Sequence, residues 1–129
     1  MKEAKKLTPS MEDYLKEIYM LQMQSQEVRV TDIAALLSIS KASVNKAVNI
    51  LKDEGYIIHE HYGPVLLSQK GQEAAKGVCD NYKVCMRFLT DILEVEETQA
   101  AQEAHLMEHA LSKGTRKKLK KFIKKQKKS

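Results

Sequence analysis

The sequence predicts a mainly α fold with a small β-hairpin, in which a winged helix-turn-helix is followed by further helices. Three observations carry this. Two short helical patterns, TDIAALL and KASVNKAVNILKDE, are separated only by SIS. Two β-prone runs in YIIHEHYGPVLLSQKG flank Gly63-Pro64 directly after them. Beyond Ser68, helical spacing continues almost to the end, broken only by short polar links.

The elements follow in order. Thr8 before Pro9 starts the first helix, a capping hydroxyl and then a proline where no N–H is needed. Met11, Tyr14, Leu15, Ile18 and Leu21 continue it at helical spacing. After the polar break QSQE, Thr31 is the expected cap of the compact TDIAALL helix. The next helix, residues 41–54, is stopped by Gly55, and its stripe of Val44, Ala47, Val48 and Leu51 faces a core. A hairpin around Gly63-Pro64 leads to a long helix from about Ser68 to Leu93. Glu94 to Glu97 form a link, Thr98 to Leu111 a further helix, and Lys113-Gly114 a break before a basic helix, RKKLKKFIKKQ. The expected division is residues 1–70 for the winged module and 71–129 for the later helices.

With 129 residues and 43% apolar composition the chain can bury a core as one domain or as two small ones sharing it. It has no run of about 18 apolar residues, and MKEAKKLTPS lacks an apolar signal core, so a cytoplasmic protein without a membrane partner is expected. Cys79 and Cys85 are six apart and point to different sides of a helix, so they read as ordinary thiols, with Cys85 in a core. The net charge of +5 is uneven: residues 113–129 carry ten Lys and Arg and no acid, leaving twelve basic against seventeen acidic residues elsewhere. Overall basicity therefore identifies no DNA-binding face.

The winged module does identify one, because its second helix enters the DNA major groove and its hairpin lies along the backbone. With the apolar stripe buried, Ser40, Lys41, Ser43, Asn45, Lys46 and Asn49 remain outward, short polar and basic groups suited to phosphates and base edges. Thr31 on the preceding helix joins them as a candidate. On the hairpin, His59 and His61 share a face and Tyr62 sits near the tip, which adds His61 and Tyr62. Singly, each is an ordinary solvated residue; the order of elements makes double-stranded DNA the expected partner.

The stretch HLMEH, residues 105–109, places His105, Glu108 and His109 within an arc of about 100° on a helix. Such a trio can hold a divalent metal, form the H-x-x-E-H order of a zinc peptidase, or be a plain polar face. Only twenty residues follow His109, none a carboxylate or histidine, so a peptidase lacks its third ligand and no enzyme is expected.

TPSMEDYLKEIYML, RVTDIAALLSISKASVNKAVNILKDEGYI, VLLSQKG and EHALS, in that order, resemble the diphtheria-toxin-repressor-like metalloregulators, in particular the short manganese-transport-regulator branch. The resemblance covers about residues 7 to 112. It implies a homodimer whose later helices form a dimerisation and metal-binding domain, and a repressor acting on an operator near genes for metal uptake. It also implies a metal held between the first helix and the E-H pair. Asp13, the aspartate of SMEDY, matches a first-helix ligand, and Glu108 and His109 match the family's glutamate and histidine. His105 stands where the manganese branch has glutamate and the iron branch cysteine.

Together Asp13, His105, Glu108 and His109 imply one divalent transition metal per subunit: manganese, iron, zinc or cobalt. Two positions depart from the branch. Lys16 replaces an expected glutamate and Tyr82 an expected histidine, which argues against a second ion and leaves open a winged-helix regulator that has lost metal sensing. Lys16 lies one turn from Asp13 and either supplies a fixed cation near Glu108 or points to solvent. In the tail, Leu119, Phe122 and Ile123 form a docking stripe that leaves the lysines in water, with extra attraction to DNA as the alternative and a membrane anchor as a weak third.

Overall fold

Thr8 caps α1 (Pro9–Gln24) as its sequence position requires: its hydroxyl accepts the Met11 N–H at 3.2 Å in the computed structural model, which describes residues 7–24, 27–60 and 63–128. Next comes α2 (Val30–Leu37), and here the cap differs from expectation. The Asp32 carboxylate reaches back to the Arg29 N–H at 2.8 Å, so Thr31 is an exposed first-turn residue and caps nothing. An anion in the first turn suits the positive helix end better than a hydroxyl does.

The turn between α2 and α3 (Lys41–Asp53) is short because Ser38 takes a left-handed conformation, φ 55°, and its N–H returns to the Ala34 and Ala35 carbonyls. Ser40 then caps α3, accepting the Ser43 N–H at 3.1 Å. Past the end of α3, Gly55 sits at φ +86°, a conformation that side chains resist, which is why the helix stops there.

The hairpin of β1 (Ile57–His59) and β2 (Val65–Leu67) pairs Ile57 with Leu67, Ile58 with Leu66 and His59 with Val65. Alternation sends Ile57, Val65 and Leu67 inward and leaves Ile58 and Leu66 exposed. His61 and Tyr62 lie outside the described residues. Leu15 and Ile18 of α1, Ile33 of α2, and Val44, Val48 and Leu51 of α3 complete one core with the inward hairpin residues. Each such side chain stabilises the fold by about 1.5–3 kcal/mol through burial. Gly71, in the first turn of α4 (Gln69–Arg87), lies against the backbone just before β1, where a Cβ would meet the Tyr56 carbonyl oxygen at 2.1 Å.

The chain divides into two compact units, Met1–Lys76 and Gly77–Ser129, with the boundary inside α4 and six residues beyond the 70/71 division. The expected α-helix from Ser68 to Leu93 is α-helical only to Arg87, and Phe88–Ile92 form a π-helical turn. There the Leu93 N–H bonds the Phe88 carbonyl at 3.1 Å, while the Thr90 hydroxyl donates to the Met86 carbonyl at 2.8 Å and competes with the regular ladder.

Helix α5 (Glu97–Met107) is capped by the Glu96 carboxylate, which accepts the Thr98 and Gln99 N–H groups at 2.9 and 3.0 Å. It ends four residues before the expected Leu111, so Glu108 is its C-terminal cap and His109 lies in the turn beyond. Helix α6 (Lys113–Lys128) begins where a break was expected, because Ser112 caps it by accepting the Thr115 N–H at 3.1 Å. The second unit's core is Cys85, Leu89, Ala100 and Ala104, with Tyr82 and Met107 among the partly buried residues packed on it. Among the described residues no helix is long and apolar enough to cross a membrane.

Candidate nucleic-acid interface and candidate metal centre

In the first unit, Val44, Ala47, Val48 and Leu51 are buried and every polar candidate on α3 is exposed, as the helical stripe dictates. Between α3 and the hairpin lies a groove of about 650 Å³ whose wall includes Lys41, Asn45, Asn49 and Lys52 of α3, Arg29 and Thr31 at the start of α2, and His59 of β1. Lys46 is exposed outside that lining. Ser40 and Ser43 are committed to each other in the cap, their hydroxyls 2.9 Å apart. Sequence reasoning passed over Arg29 and Lys52, although Lys52 extends the spacing of Lys41, Asn45 and Asn49 by three residues.

The groove combines three fixed cations with two carboxamides, the chemistry that grips phosphates and reads base edges. Arg29 also pairs with Glu27 at 3.3 Å. The hairpin end is held by His59, whose Nε2 lies 3.1 Å from the Gly63 carbonyl oxygen and donates to it.

In the second unit, the Glu108 side chain is completely buried. Its Oε1 lies 3.1 Å from His105 Nδ1 and 3.6 Å from His109 Nε2. The two imidazoles differ in setting: the His105 side chain is 51% exposed and that of His109 only 10%. Their rings meet edge to face with centroids 6.0 Å apart. A carboxylate so buried needs a compensating cation or hydrogen-bond donors, and a carboxylate with two imidazole nitrogens is a donor set suited to divalent transition metals. Burial and then the nearby Glu108 carboxylate push the Cys85 thiol above the usual range.

The turn carrying these donors is fastened by side chains that sequence reasoning did not single out. Buried Asn81 donates through Nδ2 to the carbonyls of Glu108 and Leu111, both at 2.9 Å. Its Oδ1 accepts from Arg116 at 2.9 Å, and Arg116 also donates to the Gly77 carbonyl at 3.1 Å. Asn81 and Arg116 thus fix the backbone of Glu108 from α4 and α6.

Asp13 stands on α1 with one carboxylate oxygen sealed from solvent. Lys16, one turn on, is 9% exposed, so its side chain does not point to solvent. Tyr82 is used as a packing residue against the second unit's core.

Residues 6–65 match the family described as iron dependent repressor, N-terminal DNA binding domain, and residues 68–129 its metal binding and dimerisation domain. An uncharacterized HTH-type transcriptional regulator of Methanocaldococcus jannaschii is 35% identical over 92% of this chain and 96% of its own. The HTH-type transcriptional regulator MntR of Bacillus subtilis is 37% identical over 81% of this chain and 73% of its own. The solved structure of the manganese regulator SloR superposes with a TM-score of 0.76 at 30% identity, covering 92% of this chain and 55% of that one. The chain therefore spans about half the length of that solved relative.

Proposed function

Since the chain belongs to the iron-dependent repressor family, we propose that it represses transcription by binding a double-stranded DNA operator as a homodimer when one divalent transition metal is held per subunit. It is a DNA-binding transcription regulator and not an enzyme, which closes the peptidase reading of HLMEH. The observation that carries the metal reading is the fully buried Glu108 carboxylate beside two imidazole nitrogens, in the domain matched to metal binding.

In this reading Glu108 and His109 are ligands within the metal-binding domain, and Asp13 is the carboxylate ligand that the family resemblance implies on α1. His105, half exposed, is a fourth donor of lesser weight. When bound, the cation supplies a positive centre that neutralises both carboxylates. The residues' own part is to present carboxylate and imidazole donors, and this family reading couples their occupation to DNA binding. Nitrogen and oxygen donors suit manganese, ferrous iron, zinc and cobalt alike. Lys16 and Tyr82, standing where the resemblance expects a glutamate and a histidine, support one metal per subunit.

Metal content of the purified protein, measured together with operator-binding titrations for wild type and His109→Ala, tests the reading. Metal-stimulated operator binding by the wild type alone supports it. Equal DNA binding by both proteins, with and without each divalent metal, overturns it.

A further inference from the structure

Helix α6 is amphipathic in an unusual sense: its apolar residues are turned inward and its cations are left over. Ile123 is 1% exposed, Leu119 is half-buried, and Phe122 meets Phe88 with ring centroids 6.4 Å apart. Two cations serve internal bonds, Arg116 to Asn81 and Gly77, and Lys127 to Asp91 at 2.7 Å. The remainder, including Lys117, Lys118, Lys121, Lys124 and Lys125, stand exposed on a helix that holds no acid.

This arrangement costs helix stability. Lys117, Lys121 and Lys125 repeat at i, i+4, i+8, where like charges repel. Lys113, Arg116 and Lys117 crowd the first turns, at the positive end of the helix dipole, where acids would be favoured. A solvated face of mixed charge would have neither penalty. A polyanion removes both, because each phosphate it brings neutralises one lysine and its own counterions are released.

We propose that the exposed lysine face of α6 is a second, sequence-independent contact for double-stranded DNA, separate from the α3 groove. The inward use of Leu119 and Ile123 favours DNA over a bilayer, since it leaves Phe122, 44% exposed, as the helix's large apolar side chain in contact with solvent. The α6 face follows backbone charge, and the α3 groove reads bases.

The test substitutes Lys117, Lys118, Lys121 and Lys125 by Gln in the full chain, which keeps helix propensity close to that of lysine. Affinity for a long non-operator duplex is then measured across a salt series. The salt dependence is expected to become shallower by about 0.9 in log–log slope for each lysine that contacted a phosphate. The preference for operator over non-operator DNA, which reports the α3 groove, is expected to stay unchanged. The matching Lys→Arg variant keeps the charge and is expected to keep the wild-type slope. An unchanged slope in the Gln variant overturns the proposal, as does equal loss in the Arg variant. Loss of binding to anionic phospholipid vesicles with DNA binding intact also overturns it. Failure of metal-stimulated operator binding is a separate result and leaves the slope comparison readable.

Discussion

Asn81 holds Glu108 by its backbone: the buried carboxamide donates to the Glu108 carbonyl at 2.9 Å, from 27 residues away in the chain. The same group bonds the Leu111 carbonyl and accepts from Arg116, so truncation leaves several polar groups without that partner. Asn81→Ala is expected to cost about 1–3 kcal/mol in thermal or urea unfolding. It is also expected to weaken metal binding by about 10–100-fold in calorimetric titration, as loss of a group orienting a ligand does. Full metal affinity in a folded variant would separate Asn81 from the metal centre.

His105 and His109 flank the same carboxylate from different depths, and their substitutions should differ accordingly. His109→Ala removes an imidazole with 10% exposure and is expected to abolish measurable metal binding. His105→Ala removes one that is half exposed, whose place water can take, and is expected to retain binding with a loss of about tenfold, near 1.4 kcal/mol. Equal losses by metal titration would make His105 a full ligand.

Lys16, 9% exposed, stands one turn from Asp13 on α1. A fixed cation there lessens the need for a second ion, so wild-type operator affinity is expected to change less than about 5-fold on metal addition, below the usual range of allosteric coupling. Lys16→Glu is expected to weaken metal-free DNA binding and raise the metal response into that range. Operator titrations with and without manganese compare the two proteins, and an unchanged ratio would count against this role.

The α3 groove yields a pair of contrasting variants. Asn45→Ala removes a group able to bond base edges and is expected to cost about 1–3 kcal/mol on the operator while relaxing preference at one position. Lys52→Ala removes a phosphate-binding charge and is expected to weaken all duplexes alike, lowering the salt slope by about 1. Binding to a panel of single-base operator variants distinguishes the two.

Glu96 gives a pH dependence with a definite sign. Hydrogen bonds from the Thr98 and Gln99 N–H groups hold its carboxyl below the usual range. The stabilisation is present above the unfolded-state value, about 4.3, and is lost as pH falls through the lower folded value. Glu96→Gln is therefore expected to lower the urea midpoint at pH 7, with the gap to wild type closing in strong acid. A gap that persists there would assign the cap's effect to shape alone.

Much of this was legible along the chain. The stripe Val44, Ala47, Val48 and Leu51 is local periodicity, and it is buried as read. Gly55 ended its helix as read, and the exposed candidates on α3 followed by subtraction. Four expectations failed: α5 stops four residues short of Leu111, and in the other three a side chain three or four residues away competed with the expected cap or ladder. Asp32 took the cap from Thr31, Thr90 accompanied a π-turn inside the long helix, and Ser112 turned an expected break into a helix start.

By itself the sequence determined the order of elements, the core face of the reading helix and the donor types in HLMEH, because these depend on spacing within one or two turns. Tertiary structure alone decided that Glu108 is buried and His105 half exposed, that Lys16 is withdrawn from water, and that α5 ends at Met107. The reason lies in competition for backbone and side-chain partners. Asn81 claims the carbonyls of Glu108 and Leu111 from another helix, and no periodicity in residues 98–111 records that claim.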